Sequence, residues 1–302
     1  MKIVDKIKHI MNCAFDTRSL VIKTIGNNQI AIAHCCNRER EVVNPLNIDD
    51  AYKMSNEEFW NYLQDAYTKI PENHKYEPDY YCKTSQLCYY NDKYINRIAV
   101  STFRHCNIHC KMCAVSNMGF LSLQEDEHLY FNLLEKIKGH NLGAISLTTN
   151  GEPFLKKERT FQYLESLKPG IDCDKVEIIS NLTLLNHDDI LRLKKIKDNG
   201  LNIWLMASCS AITRETYEKI HCNKNFNKVI ENIVDLDKYS VLSTINFVAQ
   251  KDNLHELDFY KDFWKPKIKD TSILARNIIV GPDGNDIAKT AEYQRFIHDN
   301  SN

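Results

Sequence analysis

Short apolar runs rich in β-branched residues alternate with longer amphipathic stretches from about residue 96 onward. Apolar residues at every second position favour strands, and apolar residues at every third or fourth position favour helices. A repeated strand–helix order is typical of a parallel sheet covered by helices. The predicted strands are Arg97–Phe103, Ala144–Thr148, Lys175–Ser180, Asn202–Ala207, Leu242–Val248 and Ile273–Val280. The predicted helices are Leu123–Lys138, Glu158–Leu167, Asp188–Lys197, Arg214–Lys219, Phe226–Lys238 and Asn253–Phe263.

The number of predicted strands limits the architecture, because a closed TIM barrel needs eight of them. We therefore expect an α/β fold of the partial (β/α)6 TIM-type barrel class, preceded by a small cysteine-rich α+β domain. With 302 residues, the chain is long enough for one large domain and a smaller appendage. The predicted division is 1–95 for the small domain, 96–285 for the barrel and 286–302 for a C-terminal tail.

Three cysteines follow the first predicted barrel strand in the sequence RHCNIHCKMC, at positions 106, 110 and 113. Three thiolates on one short loop suit one face of an iron–sulfur cubane, and they leave one iron without a protein ligand. The alternative is a structural zinc site in which His105 or His109 supplies a fourth ligand. Closed zinc sites usually pair two short Cys/His knuckles, and this loop has no obvious second knuckle nearby, so the spacing favours the cluster.

The Cys-x-x-x-Cys-x-x-Cys loop formed by Cys106, Cys110 and Cys113 resembles the signature of the radical S-adenosylmethionine (SAM) superfamily. The resemblance continues at successive predicted strand ends, in TTNGEPFL, IISNLTLL, MASCSAITRETYEKIH and NFVAQKDNLHEL. The matches occur in order from about Ile98 to Glu256, roughly half of the chain. Departures from the family pattern are Asn150 for a glycine, Ser210 for an aspartate and His221 for an arginine.

The resemblance implies a [4Fe-4S] cluster on Cys106, Cys110 and Cys113, with SAM bound to the free iron. It implies that reductive cleavage of SAM yields a 5′-deoxyadenosyl radical, which abstracts hydrogen from a peptide or sugar-like substrate and leads to oxidation, epimerisation or cross-linking. Taken singly, several of the polar residues concerned could instead be turn or helix-capping residues. The residues it assigns to SAM are Met112, Gly151, Glu152, Ser180, Asn181, Ser208 and Ser210.

The segment before the barrel contains five more cysteines, at positions 13, 35, 36, 82 and 88. A hairpin is predicted around the turn at Gly26, and Ser55 with Glu58 forms a capping box for a helix over 56–67. This arrangement resembles SPASM or twitch-like auxiliary domains, which implies a second iron–sulfur cluster on Cys13, Cys35, Cys82 and Cys88, with Cys36 as an alternative to Cys35. Zinc in the same thiolates and free buried cysteines remain alternatives.

Composition excludes several other classes of protein. The formal net charge of −1 provides no general attraction for a polyanion, so a nucleic-acid partner is not favoured. The sequence has no Gly-x-Gly-x-x-Gly or Walker-type loop, which argues against nicotinamide or P-loop nucleotide binding. We find no membrane span or signal-peptide core, and we expect a cytoplasmic protein.

The expected partners are a small-molecule or peptide substrate and an external electron donor of the flavodoxin or ferredoxin type. Eleven cysteines are more than core packing explains, and a reducing compartment argues against a disulfide framework. The alternative function is a non-catalytic interaction protein that binds zinc or an iron–sulfur cluster. Metal and sulfide analysis distinguishes the two functions.

Overall fold

The structure is a computed structural model, which describes residues 19–26, 28–33, 42–69, 95–113, 121–147 and 150–277. It has an α/β fold with a mostly parallel sheet. The chain forms two compact units, which are described separately. Unit 1 comprises Met1–Arg104, Gly119–Asn150 and Leu167–Val176, and unit 2 comprises His105–Met118, Gly151–Ser166 and Glu177–Asn302.

Unit 1 is built on strands in the order β3-β2-β1-β4-β5. The predicted hairpin is confirmed, because β1 and β2 pair antiparallel from Val21–Ala33 to Ile25–Gln29. Strand β1 also pairs in parallel with β4, with Leu20 opposite Ile98, so β4 is an interior strand. These strands are β1 (Ser19–Ile25), β2 (Gln29–Ala33), β3 (Val42–Asn47), β4 (Arg97–Ser101) and β5 (Ala144–Ser146).

Strand β3 was missed by the sequence analysis, since its sequence VVNPLN contains a proline and two asparagines. Proline lacks the N–H that a central strand needs, and it is therefore found at sheet edges and bulges. Here β3 lies at the edge of unit 1, and the register of its pairing with β2 shifts between Ile30 and Ile32. Asn44 next to the proline has a φ of 49°, which fits this irregularity.

The helices of unit 1 pack their apolar stripes inward. In α2, Phe59, Leu63 and Ala66 are fully buried at the spacing expected of one helix face. The predicted capping box is confirmed, because Ser55 Oγ accepts from the Glu58 N–H and Glu58 accepts from the Ser55 N–H. The described helices of this unit are α1 (Ile48–Lys53), which was not predicted, α2 (Asn56–Lys69) and α3 (Leu123–Lys136).

Unit 2 contains strands in the order β6-β7-β8-β9, and β7, β8 and β9 pair in parallel. Its largest buried side chains include Phe247, Tyr260 and Trp264, which contact one another ring to ring. The strands are β6 (Lys175–Ser180), β7 (Asn202–Ser208), β8 (Leu242–Ala249) and β9 (Ser272–Asn277). The first two residues of β6 belong to unit 1.

Helices alternate with these strands, as predicted. The helix ends are stabilised locally; for example, Asn186 and Asp189 form a reciprocal capping box at the start of α5. The helices are α4 (Lys157–Ser166), α5 (His187–Asp198), α6 (Arg214–His221), α7 (Phe226–Lys238) and α8 (Leu257–Trp264), with short 3-10 helices at Pro153–Lys156 and Leu254–Glu256. Among the described residues, no helix has the length and apolar character needed to cross a membrane.

Asp237 connects α7 to the segment that leads into β9. Its carboxylate is 5% exposed, and it accepts hydrogen bonds from the backbone N–H groups of Lys269, Asp270 and Thr271 and from the Thr271 hydroxyl. Burial opposes ionisation of Asp237, but these four donors outweigh it and hold the pKa below its ordinary value.

We expect Asp237→Asn to lower the free energy of unfolding by about 1–3 kcal/mol, because the amide nitrogen cannot accept from the Lys269 N–H. Urea denaturation at pH 7 measures the loss. Because the pKa of Asp237 is lower in the folded protein than in the unfolded chain, ionised Asp237 stabilises the fold at pH values above 3.8. The loss caused by the substitution should therefore shrink as the pH falls below 3.8. The control is Asp235→Asn on the same helix, which should change stability by less than about 0.5 kcal/mol. Equal effects of the two variants would contradict the prediction.

Candidate functional site

The loop that contains Cys106, Cys110 and Cys113 is held at both ends by backbone hydrogen bonds within unit 2. The Glu152 N–H donates to the His105 carbonyl at 2.8 Å, and the Lys111 N–H donates to the Ile220 carbonyl at 2.9 Å. A turn closed by the Cys113 N–H and the Cys110 carbonyl, at 3.0 Å, brings the last two cysteines together. The three thiols are thus placed on one fixed loop.

The environment of Cys106 and Cys110 disfavours free thiolates. Burial raises the pKa of Cys106 to about 11, and the charges of Glu152 and Cys113 add to the effect. The pKa of Cys110 is also raised, first by burial and then by the charges of Cys106, Cys113 and Cys222. A metal that binds these thiols has to displace their protons.

His221 contacts the middle cysteine. Its Nδ1 lies 3.2 Å from Cys110 Sγ, and its Nε2 accepts from the Ser210 backbone N–H at 3.1 Å. An N–H can only donate, so Nε2 carries no proton and the proton of the neutral ring is on Nδ1. The ring is 1% exposed, and burial lowers its pKa to about 4, which favours the neutral form. His221 therefore donates to the sulfur of Cys110.

Asn181 makes a similar contact with the first cysteine. Its Nδ2 lies 3.6 Å from Cys106 Sγ and donates to Asn107 Oδ1 at 3.0 Å. The orientation of the amide is set by Thr183, whose N–H and hydroxyl both donate to Asn181 Oδ1. Two of the three cysteine sulfurs thus accept an N–H···S hydrogen bond from a residue outside the loop.

Glu152 is a deeply buried carboxyl group beside the loop, with 2% exposure. Oε1 accepts from the Phe154 N–H at 3.1 Å and from the Ser180 hydroxyl at 2.8 Å, and Oε2 accepts from the Asn181 N–H at 2.8 Å. Burial outweighs these donors and raises the pKa of Glu152 to about 7. Three of the residues predicted to bind SAM, namely Glu152, Ser180 and Asn181, are thus in mutual contact.

The two predicted serines lie at the carboxyl end of β7. Ser208 is the last residue of the strand and is half-buried, with Asn246 of β8 as its cross-strand neighbour. Ser210 is fully buried, and its hydroxyl accepts from the Val248 N–H at 3.0 Å. The Ser210 side chain therefore connects the ends of β7 and β8. A serine with a purely structural role would make the same contact. Its predicted contact with SAM stays a prediction.

Asn253 and Glu256 stabilise the same end of the sheet. The Asn253 amide donates to the Ser210 carbonyl at 2.8 Å and to the Val248 carbonyl at 2.9 Å. Glu256 accepts from the Ile212 N–H at 2.7 Å and from the Thr213 hydroxyl at 2.5 Å, at the start of α6. These contacts position the turn that precedes α6, and α6 ends at His221.

The remaining predicted site residues are placed as follows. Met112 and Gly151 are half-buried, next to Cys113 and Glu152 in the chain. Cys13, Cys35, Cys36, Cys82 and Cys88 lie outside the described residues. Within the described part of the chain, no group of three or more His, Cys, Asp or Glu side chains converges as a single metal ion requires.

The contact between His221 and Cys110 was missed by sequence reasoning, which noted His221 only as a replacement for arginine. The two residues are 111 positions apart, and no local spacing connects them. The one available signal was that two departures from the family pattern, Ser210 and His221, occur near the same strand end. In the structure these two residues form a hydrogen bond.

Comparisons with known proteins give partial matches. No family model matches the chain. An uncharacterised protein of Methanocaldococcus jannaschii is 27% identical over 172 residues, 54% of this chain and 54% of the relative. A GTP 3',8-cyclase of Aliarcobacter butzleri is 28% identical over 176 residues, 55% of this chain and 52% of the relative. The matches thus span about half the length of each curated relative.

Among solved structures, the chain is similar to SuiB of Streptococcus suis in its complex with S-adenosylmethionine. The TM-score is 0.49 at 16% sequence identity, and the match covers 68% of this chain and 47% of SuiB.

We expect Glu152→Gln to lower the free energy of unfolding at pH 5 by about 1–3 kcal/mol, because the amide nitrogen cannot accept a hydrogen bond. The pKa of Glu152 is about 7 in the folded protein and 4.5 in the unfolded chain. Protonation of Glu152 therefore stabilises the fold fully below pH 4.5, and this stability is lost as the pH rises through 7. The difference between parent and variant should therefore shrink by up to about 3 kcal/mol by pH 8.

Urea denaturation of the metal-free protein at both pH values measures the change in this difference. The control is Glu158→Gln, since Glu158 is an exposed carboxylate paired with Arg192, and its effect should stay below about 1 kcal/mol. A difference between parent and Glu152→Gln that does not change with pH would contradict the prediction.

Proposed function

We propose that the chain is a radical SAM enzyme whose [4Fe-4S] cluster is held by Cys106, Cys110 and Cys113. The observation that carries this proposal is the placement of three thiols on one anchored loop, with N–H donors from Asn181 and His221 directed at two of the sulfurs. Donors of this kind stabilise thiolates that bind metal. The ordered motif resemblance over successive strand ends supports the same assignment.

The donor set fits a cubane better than a single ion. Each protein thiolate of a cubane binds a different iron, so the three sulfurs need not converge on one point. His221 is not a metal ligand in this arrangement, since Nδ1 carries a proton and Nε2 accepts from the Ser210 N–H. When bound, the reduced cluster supplies the electron that cleaves SAM.

The SAM-binding residues in this proposal are Met112, Gly151, Glu152, Ser180, Asn181, Ser208 and Ser210. Glu152 is the residue suited to a cationic ammonium, because Oε2 accepts one hydrogen bond within the described residues, from the Asn181 N–H, and a carboxylate oxygen can accept two. A positive charge beside this buried carboxylate would favour its ionised form. We further propose that the strands curve into a partial (β/α)6 barrel that places these residues around SAM.

The proposed substrate is a peptide or a sugar-like molecule from which hydrogen is abstracted, with a flavodoxin or ferredoxin as electron donor. Support for this class comes from the residues around α6 and α7, which resemble the peptide- and carbohydrate-modifying branch of the superfamily. The protein's own contribution is to hold SAM beside one C–H bond and to exclude water from the radical.

We expect anaerobic reconstitution to give the parent about four iron and about four sulfide per cluster and 5′-deoxyadenosine on reduction with SAM. Cys106→Ala should lose most of the iron of this cluster and all SAM cleavage, because one of its three ligands is removed. The control is Cys222→Ser, which removes an exposed thiol outside the ligand set and should leave both measurements unchanged. Equal iron and equal SAM cleavage in the parent and Cys106→Ala would overturn the proposal. Stoichiometric zinc without acid-labile sulfide would instead support the non-catalytic interaction protein.

We also propose an auxiliary iron–sulfur cluster on Cys13, Cys35, Cys82 and Cys88, in a small N-terminal domain over 1–95. The double variant Cys82→Ala/Cys88→Ala should then lose about half of the parent's iron and sulfide, while SAM is still cleaved at the first cluster. Iron and sulfide assays with 5′-deoxyadenosine measurement test this. Unchanged iron in the double variant would contradict a second cluster, and zinc that is lost in its place would identify a zinc site.

A further inference from the structure

The junction between the cysteine loop and α6 contains three separate contacts. The Lys111 N–H donates to the Ile220 carbonyl, and His221 Nδ1 lies 3.2 Å from Cys110 Sγ. On the exposed side, Asp252 pairs with both Lys111, at 3.2 Å, and Lys219, at 2.9 Å. Only the contact of His221 reaches a cysteine sulfur, so its role can be separated from the attachment of the loop to α6.

The direction of this hydrogen bond is determined by the geometry on the other side of the ring. Ser210 presents a backbone N–H to Nε2 at 3.1 Å, so the proton lies on Nδ1 and faces the sulfur. Tyr217 packs against the ring with 4.5 Å between centroids, which limits its rotation. At 1% exposure the ring is inaccessible to water that would compete for the N–H.

We propose that His221 is a positioning residue that donates an N–H···S hydrogen bond to Cys110 and thereby raises the reduction potential of the cluster. This inference rests on the proposed function. Reduction by one electron, supplied by the flavodoxin or ferredoxin donor, increases the negative charge of the cluster and its sulfurs. A donor that faces a sulfur stabilises the reduced state more than the oxidised state. The His221 contact thus makes the electron from the donor easier to accept.

Two amide substitutions separate the two ends of the ring. His221→Asn places its amide where Nδ1 lies, so it keeps a donor for Cys110 and loses the partner of Ser210. His221→Gln reaches the position of Nε2, so it keeps a partner for the Ser210 N–H and loses the donor to Cys110. Asp252→Asn is the control for loosening of the loop, because it weakens the exposed ion pairs of the same junction and leaves His221 in place. It also removes a negative charge, and this charge effect alone would raise the reduction potential.

The experiment is a redox titration of the reconstituted full-length protein, followed by electron paramagnetic resonance without SAM or substrate, after iron and sulfide have been measured. At the midpoint of the parent, we expect the ratio of reduced to oxidised cluster to fall about tenfold in His221→Gln, which is a shift of about 59 mV for one electron. The ratio in His221→Asn and Asp252→Asn should stay within about threefold of the parent.

The outcomes distinguish this inference from the proposed function. A full cluster with an unchanged midpoint in His221→Gln would overturn the inference and leave the enzyme assignment intact, as would an equal fall in His221→Asn. A parent without iron and acid-labile sulfide would overturn the proposed function and the inference together. If both His221 variants fail to fold, ¹⁵N NMR of the histidine ring in the parent decides the matter. A proton on Nε2 would overturn the inference, and a proton on Nδ1 would support it.

Discussion

The buried carboxylate of Glu152 is the contact on which the arrangement of the cysteine loop depends. The Glu152 N–H donates to the His105 carbonyl. The Glu152 side chain accepts from the Ser180 hydroxyl and the Asn181 N–H at the end of β6. Asn181 in turn contacts the sulfur of Cys106. Burying a carboxylate is unfavourable unless donors surround it, and three donors do so here. The connection from the end of β6 to Cys106 therefore runs through the hydrogen bonds of Glu152 and Asn181.

Several polar residues at the carboxyl ends of the strands connect those ends to neighbouring segments. Ser210, Asn253 and Glu256 each use their side chains to hold a backbone group on a neighbouring segment. A serine or asparagine in a motif therefore has two physical explanations, and spacing alone does not choose between them. A carboxylate or an amide has several sites for hydrogen bonds, so one such residue can hold a backbone group and still have a site left for a ligand.

Elements with a strong periodic pattern were predicted well from the sequence. The bounds of β6 and α7 agree with the prediction, and the capping box of α2 was predicted from Ser55 and Glu58 alone. These features depend on neighbours a few residues apart, which the sequence displays directly. Strand β3 was not predictable in this way, because Pro45 and its neighbours are compatible with a strand only at a sheet edge.

The candidate site shows the same difference between local features, which the sequence displays, and contacts between distant segments. The cysteine triplet lies in one short stretch, so its spacing could be recognised, whereas the contact of His221 with Cys110 depends on how distant segments come together. The fixed tautomer of that histidine depends on a backbone N–H, which is present at nearly every residue and leaves no mark in the sequence. Hydrogen bonds of this kind become visible only once the strand ends have been placed.

The parallel pairing of β1 with β4 bears on how the chain can be shortened. Strand β4 leads directly into the cysteine loop, and its two edges are occupied by β1 and β5. A chain that began at Asn96 would leave one edge of β4 with unpaired N–H and C=O groups, which readily recruit a strand from another molecule. The N-terminal hairpin therefore also protects the protein against self-association. Its removal would favour aggregation through β4, the strand that precedes the cysteine loop.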